Sequence, residues 1–133
     1  MDFKEVEEIL PDEEYLLGVN IGTLGSKGLL INPAVVGAEH HIEHDVNVIR
    51  PGWVKQDPIA CYWEDFREVL RVILKASGVD SKDIECIGAS SLTLLLLTID
   101  RDLKPVQPRI IHMDRRAQSE CLWVKERIGG GDL

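Results

Sequence analysis

Cysteine is sparse in this chain and none of it is paired by spacing. Cys61, Cys86 and Cys121 are odd in number and far apart, with no CxxC. That pattern excludes a disulfide framework and a cysteine-based zinc site, and a reducing cytoplasm is the expected setting. Positive charge is also scarce: the formal net charge is -8, and the scattered lysines and arginines supply no basic face for nucleic acid or an anionic membrane. Aromatic residues make up only 5% of the sequence. The longest apolar run, Leu94 to Leu97 with its neighbours, is too short to span a bilayer, and the N-terminus is acidic rather than basic. No partner of either class, nucleic acid or membrane, is therefore expected. What remains is a chain of 133 residues with 44% hydrophobic content, enough for one domain with its own core.

The richest stretch is Tyr15 to Ile31, an apolar run, a glycine-rich turn and a second apolar run. Gly22 and Gly25 allow close approach to an anion, and backbone amides with the Thr23 and Ser26 hydroxyls can donate to phosphate oxygens. The same residues also read as a β-hairpin whose turn is simply rich in glycine. The spacing is not a Walker A loop, because Ser26 separates Gly25 from Lys27 and a strand follows.

Strands are expected at Tyr15 to Ile21, Lys27 to Ile31 and Val35 to Glu43, with Asn32-Pro33 as the last turn, giving an antiparallel meander. Residues 1–14 form an acidic extension, either a short docked helix or a frayed leader. Arg50 to Gln56 reads as a loop. Asp57 then serves as N-cap and Pro58 as first helical residue of a helix that Gly78 stops. Its inward face would carry Ile59, Trp63, Phe66, Leu70, Ile73 and Leu74. Ile84 to Ala89 is expected as a strand buried on both sides. Leu92 to Ile99 and Arg109 to His112 should pair as a hairpin across the Asp100 to Pro105 turn. Asp114 would cap a last helix with Ala117, Cys121, Val124 and Ile128 inward, stopped by Gly129-Gly130-Gly131.

His40, His41, His44 and Asp45 lie close in sequence. On a strand His40 and His41 point to opposite faces, so the cluster reads as a strand end rather than a metal site. Of the three tryptophans, Trp63 and Trp123 read as core or interface residues on helices. Trp53, in the loop, is the ligand candidate.

Four segments, in order, resemble motifs of the FGGY family of carbohydrate kinases, of the xylulose, glycerol and gluconate kinase type. Asn20-Ile21-Gly22-Thr23 with Lys27 is similar to D-x-G-T followed by S-x-K, and Pro51 to Pro58 to P-G-W-x-E-Q-D-P. Ile84 to Ser90 resembles I-x-x-I-G-x-S. Asp100-Arg101-Asp102 through Pro105 and Pro108 to Met113-Asp114-Arg115-Arg116-Ala117 resembles D-x-D-G-x-P-x-x-P with N-D-R-R-A. The resemblance covers roughly residues 15 to 128.

It implies an α/β, ribonuclease H-like domain of the actin, sugar kinase and Hsp70 type, here partial, with a mixed sheet, an antiparallel meander and flanking helices. The domain is expected over residues 15–133. It further implies ATP and Mg2+ as cofactors and a sugar or polyol as substrate. Asn20, Gly22, Thr23, Ser26 and Lys27 would form the phosphate side, and Trp53, Ser91, Thr93, Asp114 and Arg115 the substrate wall. Asn20 stands where the family has an aspartate, so a metal would be met only weakly and through water. Ser90-Ser91-Leu92-Thr93-Leu94 replaces S-G-Q-M-H, which leaves the sugar unreadable. The family's catalytic base and adenosine site have no counterpart here, so no turnover is expected of this chain alone. A rival reading is a non-catalytic binding or interaction module with the same fold. A partial sheet would expose apolar surface, so self-association into a homo-oligomer is expected.

Overall fold

The computed structural model describes residues 14–32 and 36–128. The N-terminal extension up to residue 13, the turn at Pro33 and the glycine stop at 129–131 lie outside the described residues. The chain divides into two compact units: the described residues up to Asp45 with Asp57–Leu92, and Val46–Gln56 with the described residues from Thr93 onward.

In the first unit, β1 (Tyr15–Ile21), β2 (Gly25–Ile31), β3 (Val36–Glu43) and β6 (Ile84–Ser91) form one sheet in the order β3-β2-β1-β6. β1–β2–β3 is the expected antiparallel meander, and β6 joins β1 in parallel. Strict alternation sorts the strands into two faces. Leu17, Val19, Ile21 and Leu30 are buried on one face, together with Val69 and Ile73 of α1 (Asp65–Ser77). Gly18, Asn20, Lys27 and Leu29 are exposed on the other.

Asp57 caps the helical segment as expected, its Oδ1 accepting from the Ile59 and Ala60 amides at 2.8 and 3.1 Å. The first stretch, Ile59–Glu64, is a π-helical turn, and only then does α1 begin. Closing i→i+5 shifts the helical phase by a residue. The expected inward face is corrected in part: Ile73 is fully buried and Phe66 and Leu70 pack against the core as expected, but Val69 joins them at full burial, while Ile59 and Trp63 are exposed. Trp63 stacks on Phe66 at the surface instead. Gly78 ends α1 at φ 72°, and its amide bonds to the Leu74 carbonyl.

β6 is a strand as expected but is exposed along nearly its whole length, not buried. Among the described residues it sits at the sheet edge, paired only with β1, and α1 lies over β1, β2 and β3.

In the second unit the segment read as a loop is a hairpin. β4 (Asn47–Arg50) and β5 (Trp53–Gln56) flank Pro51-Gly52, with Gly52 at φ 78°. Proline then glycine with positive φ is the pairing that a type II turn requires. β5 also pairs with the short β7 (Arg109–Ile110).

The expected Leu92 to Ile99 strand is absent among the described residues. Its pairing survives as two isolated bridges, Leu96 with Ile110 and Ile99 with Pro105. Two features limit the ladder: Pro105 and Pro108 carry no amide hydrogen, and Leu94 takes the left-handed conformation, φ 57°. The last helix, α2 (Gln118–Ile128), begins after Asp114 rather than at it, and no residue on it is buried. Cys121 to Val124 are consecutive, so the apolar groups do not fall on one stripe.

The Asp100 turn gives a first prediction. Its carboxylate accepts from the Asp102 and Lys104 amides, both at 2.9 Å, and Leu103 follows at φ 61° and 76% exposed. The motif that this segment resembles has glycine at this position. A left-handed leucine costs roughly 1–2 kcal/mol, and glycine gives part of that back through unfolded-state entropy. Leu103→Gly is therefore expected to raise stability by about 0.5–1 kcal/mol in urea unfolding.

Candidate functional site

In the first unit the turn between β1 and β2 is only Gly22-Thr23-Leu24. Gly22 N–H closes it on the Gly25 carbonyl at 2.8 Å. Gly25 and Ser26 belong to β2, two residues earlier than the sequence suggested. Gly25 is needed for close approach: a Cβ there would lie 2.6 Å from His41 Nε2 and 2.7 Å from the Ile42 carbonyl. Ser26 is fully buried, and its hydroxyl donates to Asp65 Oδ2 at 2.7 Å. It faces the helix, so it does not join Lys27, which points to the opposite, open face.

On that open face the sheet register sets Asn20 beside both Lys27 of β2 and Ser90 of β6. Asn20 Nδ2 donates to Ser90 Oγ at 2.7 Å. A Cβ on Gly22 would lie 3.7 Å from Asn20 Oδ1, which places the amide oxygen at the turn. These groups line an open cleft of about 520 Å³, together with Gly18 and Gly88, adjacent in register, and Glu39. A cation and an amide oxygen lining one glycine-containing cleft suit a phosphate with a hydrated metal beside it. Ser90 was not singled out from sequence. It could have been found only from the parallel pairing of β1 with β6, which is a tertiary fact.

In the second unit the centre is Asp114. Oδ2 accepts from the Val54 amide at 2.8 Å and Arg116 Nη2 at 2.7 Å, while Oδ1 accepts from the Arg116 amide at 3.0 Å and Nε at 2.8 Å. All four acceptor positions are filled, and the side chain is 2% exposed. In this structure the carboxylate thus holds Arg116 and the Val54 amide. Arg116 lies over the Trp53 ring at 4.0 Å, and Arg50 lies over the same ring at 3.5 Å. Trp53 is thus held between two guanidinium groups. Arg115 is exposed, with its amide donating to the Gly52 carbonyl at 2.7 Å. Ser91, at the end of β6 in the first unit, and Thr93, in the second, are both exposed.

The Arg116 guanidinium, then its amide and that of Val54, hold the Asp114 carboxyl well below the usual carboxylate range against the opposing effect of burial. A lowered carboxyl contributes stability that is fully present above its unfolded value, about 3.9, and is lost as pH falls through the folded value. Asp114→Asn is expected to lower the urea midpoint at neutral pH, with the gap to wild type closing only under strongly acid conditions. Parallel urea titrations across the acid range check this.

Comparison with known proteins places this chain in a family. The sequence profile of the FGGY family of carbohydrate kinases, N-terminal domain, matches residues 15–132. The chain belongs to the FGGY family of carbohydrate kinases. A glycerol kinase of Rippkaea orientalis is 28% identical over 114 residues, 84% of this chain and 23% of the relative. Among solved structures, a xylulose kinase from Brucella ovis superposes with TM-score 0.78 at 29% identity, covering 85% of this chain and 24% of that one. A gluconate kinase from Lactobacillus acidophilus superposes with TM-score 0.77 at 23% identity, over 86% and 23% respectively. The FGGY chain described here thus spans about a quarter of the length of these relatives, and it carries part of their actin-type, ribonuclease H-like fold. Among the described residues no helix is long and apolar enough to cross a membrane.

Proposed function

We propose that this chain supplies the phosphate side and part of the substrate wall of a kinase that transfers a phosphoryl group from magnesium-ATP to a hydroxyl of a sugar or polyol. The observation that carries the reading is the convergence of Asn20, Lys27 and Ser90, from three strands, on the open face beside the Gly22–Leu24 turn. Lys27 would meet a phosphate oxygen, with Gly22 and Thr23 supplying the turn around it. The Asn20 amide oxygen would meet a metal-bound water. Bound magnesium-ATP supplies the phosphoryl group and the charge that stabilises its transfer. In the second unit Trp53, Thr93 and Arg115 would face the carbohydrate, with Asp114 fixing Arg116 against Trp53. Ser26 acts from behind, through Asp65.

Calorimetric titration tests this. Saturable magnesium-ATP binding is expected, weakened about ten- to a hundredfold in Lys27→Ala by loss of one charge-assisted hydrogen bond. A panel of pentuloses, hexoses, polyols and aldonates should yield binding by one class. Silence with the nucleotide and with every carbohydrate would overturn the reading.

A further inference from the structure

His44 follows the end of β3 and touches two segments of the first unit, the Gly22–Leu24 turn and α1. Its backbone amide donates to the Leu24 carbonyl at 3.1 Å. Its ring Nε2 lies 3.2 Å from the Gly22 carbonyl, and Nδ1 lies 2.6 Å from Asp65 Oδ2 in the first turn of α1. Ser26 donates to that same carboxylate oxygen. Little of this is open to water: the His44 and Asp65 side chains are 8% and 12% exposed.

Each ring nitrogen faces an oxygen acceptor, so both contacts are hydrogen bonds when the ring carries hydrogen on both. One residue thereby takes the carbonyls on either side of Thr23, those of Gly22 and Leu24, and anchors them to the helix. A trans peptide holds its C=O and N–H antiparallel. Drawing the Gly22 carbonyl to the imidazole therefore turns the Thr23 N–H away from His44, Asp65 and the helix. Asp65 serves the covered face of the sheet, and Lys27 stands on the open one.

We infer that His44 is a positioning residue: braced by Asp65 and Ser26, it fixes the peptide planes of the Gly22–Leu24 turn so that the turn presents amide hydrogen, not carbonyl oxygen, to an anion. This rests on the reading of that turn as the phosphate side. The brace acts through geometry settled before any ligand arrives, so it has two separable consequences, one in the free chain and one in binding.

The test compares wild type with His44→Ala, His44→Gln and Asp65→Asn. Amide hydrogen exchange, by nuclear magnetic resonance in the free chain, should accelerate about tenfold or more at Gly22 and at the amide of residue 44 in His44→Ala, as the side-chain contacts that fix the turn are lost. Central β1 amides should change far less. His44→Gln, whose amide can still donate to the Gly22 carbonyl, should recover part of the protection. In wild type a ring N–H proton of His44, shielded beside Asp65, should be visible as a slowly exchanging signal, and Asp65→Asn should shift or broaden it. With magnesium-ATP as probe, affinity should fall about tenfold in His44→Ala and recover partly in His44→Gln. Exchange at the turn unchanged in both His44→Ala and Asp65→Asn would overturn the brace. Faster exchange with unchanged magnesium-ATP affinity would overturn its positioning role. If wild type bound no magnesium-ATP, the phosphate reading would fail, and with it the presentation to an anion, while exchange would still decide the brace. Should His44→Ala not fold, Asp65→Asn and Ser26→Ala carry the same comparison.

Discussion

Replacing Asn20 by aspartate is expected to tighten magnesium-dependent ATP binding by about ten- to a hundredfold, the range in which hydrogen-bonding partners around a metal act on its affinity. The argument begins with charge. An amide oxygen can hold a metal-bound water but cannot offset cationic charge as a carboxylate does. The fold should accept the change, because Asn20 is exposed on the open face and its partner is a hydroxyl. Ser90 accepts from the amide in the native chain and can rotate to donate to a carboxylate instead. Lys27, paired with Asn20 in the β1–β2 register, lies on the same face to balance the added charge. The check is nucleotide titration at several magnesium concentrations, with Asn20→Ser as control. A magnesium dependence identical in Asn20→Asp and wild type would remove the metal from the account of this position and favour the interaction-module reading.

Gly28→Ala is expected to destabilise the first unit by about 3 kcal/mol, at or beyond the upper end of the usual cost of overpacking. A Cβ at this position would overlap Val69 Cγ1 and lie 2.7 Å from Ile73 Cδ1. Both side chains are fully buried at the centre of the core, so neither can swing into solvent. Against a total stability of about 5–15 kcal/mol, that loss is a large share of the margin. Val69→Ala in the same chain should return part of it, because the methyl groups that collide would be gone. The two substitutions should thus be non-additive by about 1 kcal/mol or more. Urea unfolding of the two single variants and the double variant measures this, and a Gly28→Ala midpoint close to wild type would sink the argument.

Gly28 also shows where sequence and structure part. In the sequence it is one more glycine in a glycine-rich stretch that invites a phosphate reading. In the structure it is the point where β2 lets α1 approach, and only Gly22 and Gly25 serve the turn. Ser26 divides in the same way. Residue type suggested a phosphate donor, but a strand that starts at Gly25 turns Ser26 inward, to Asp65. Period-two alternation makes such an assignment depend on the exact residue at which the strand begins.

The motif order in the chain determined the family, and local signals determined the β1–β2–β3 meander, the Asp57 cap and the Gly78 stop, because caps, turns and alternation act within a few residues. What surrounds each element was decided only in three dimensions. The π-helical turn rotated the helix phase so that Val69, not Trp63, joins Ile73 in the core. The exposure of β6 came from its place at the sheet edge. The pairing of Asn20 with Ser90, the grip of His44 on Gly22 and Asp65, and the saturation of Asp114 join residues 70, 22, 21 and up to 60 positions apart. Sequence pattern registers spacing along the chain, whereas hydrogen bonds and burial depend on distance in space, and tertiary packing alone converts one into the other.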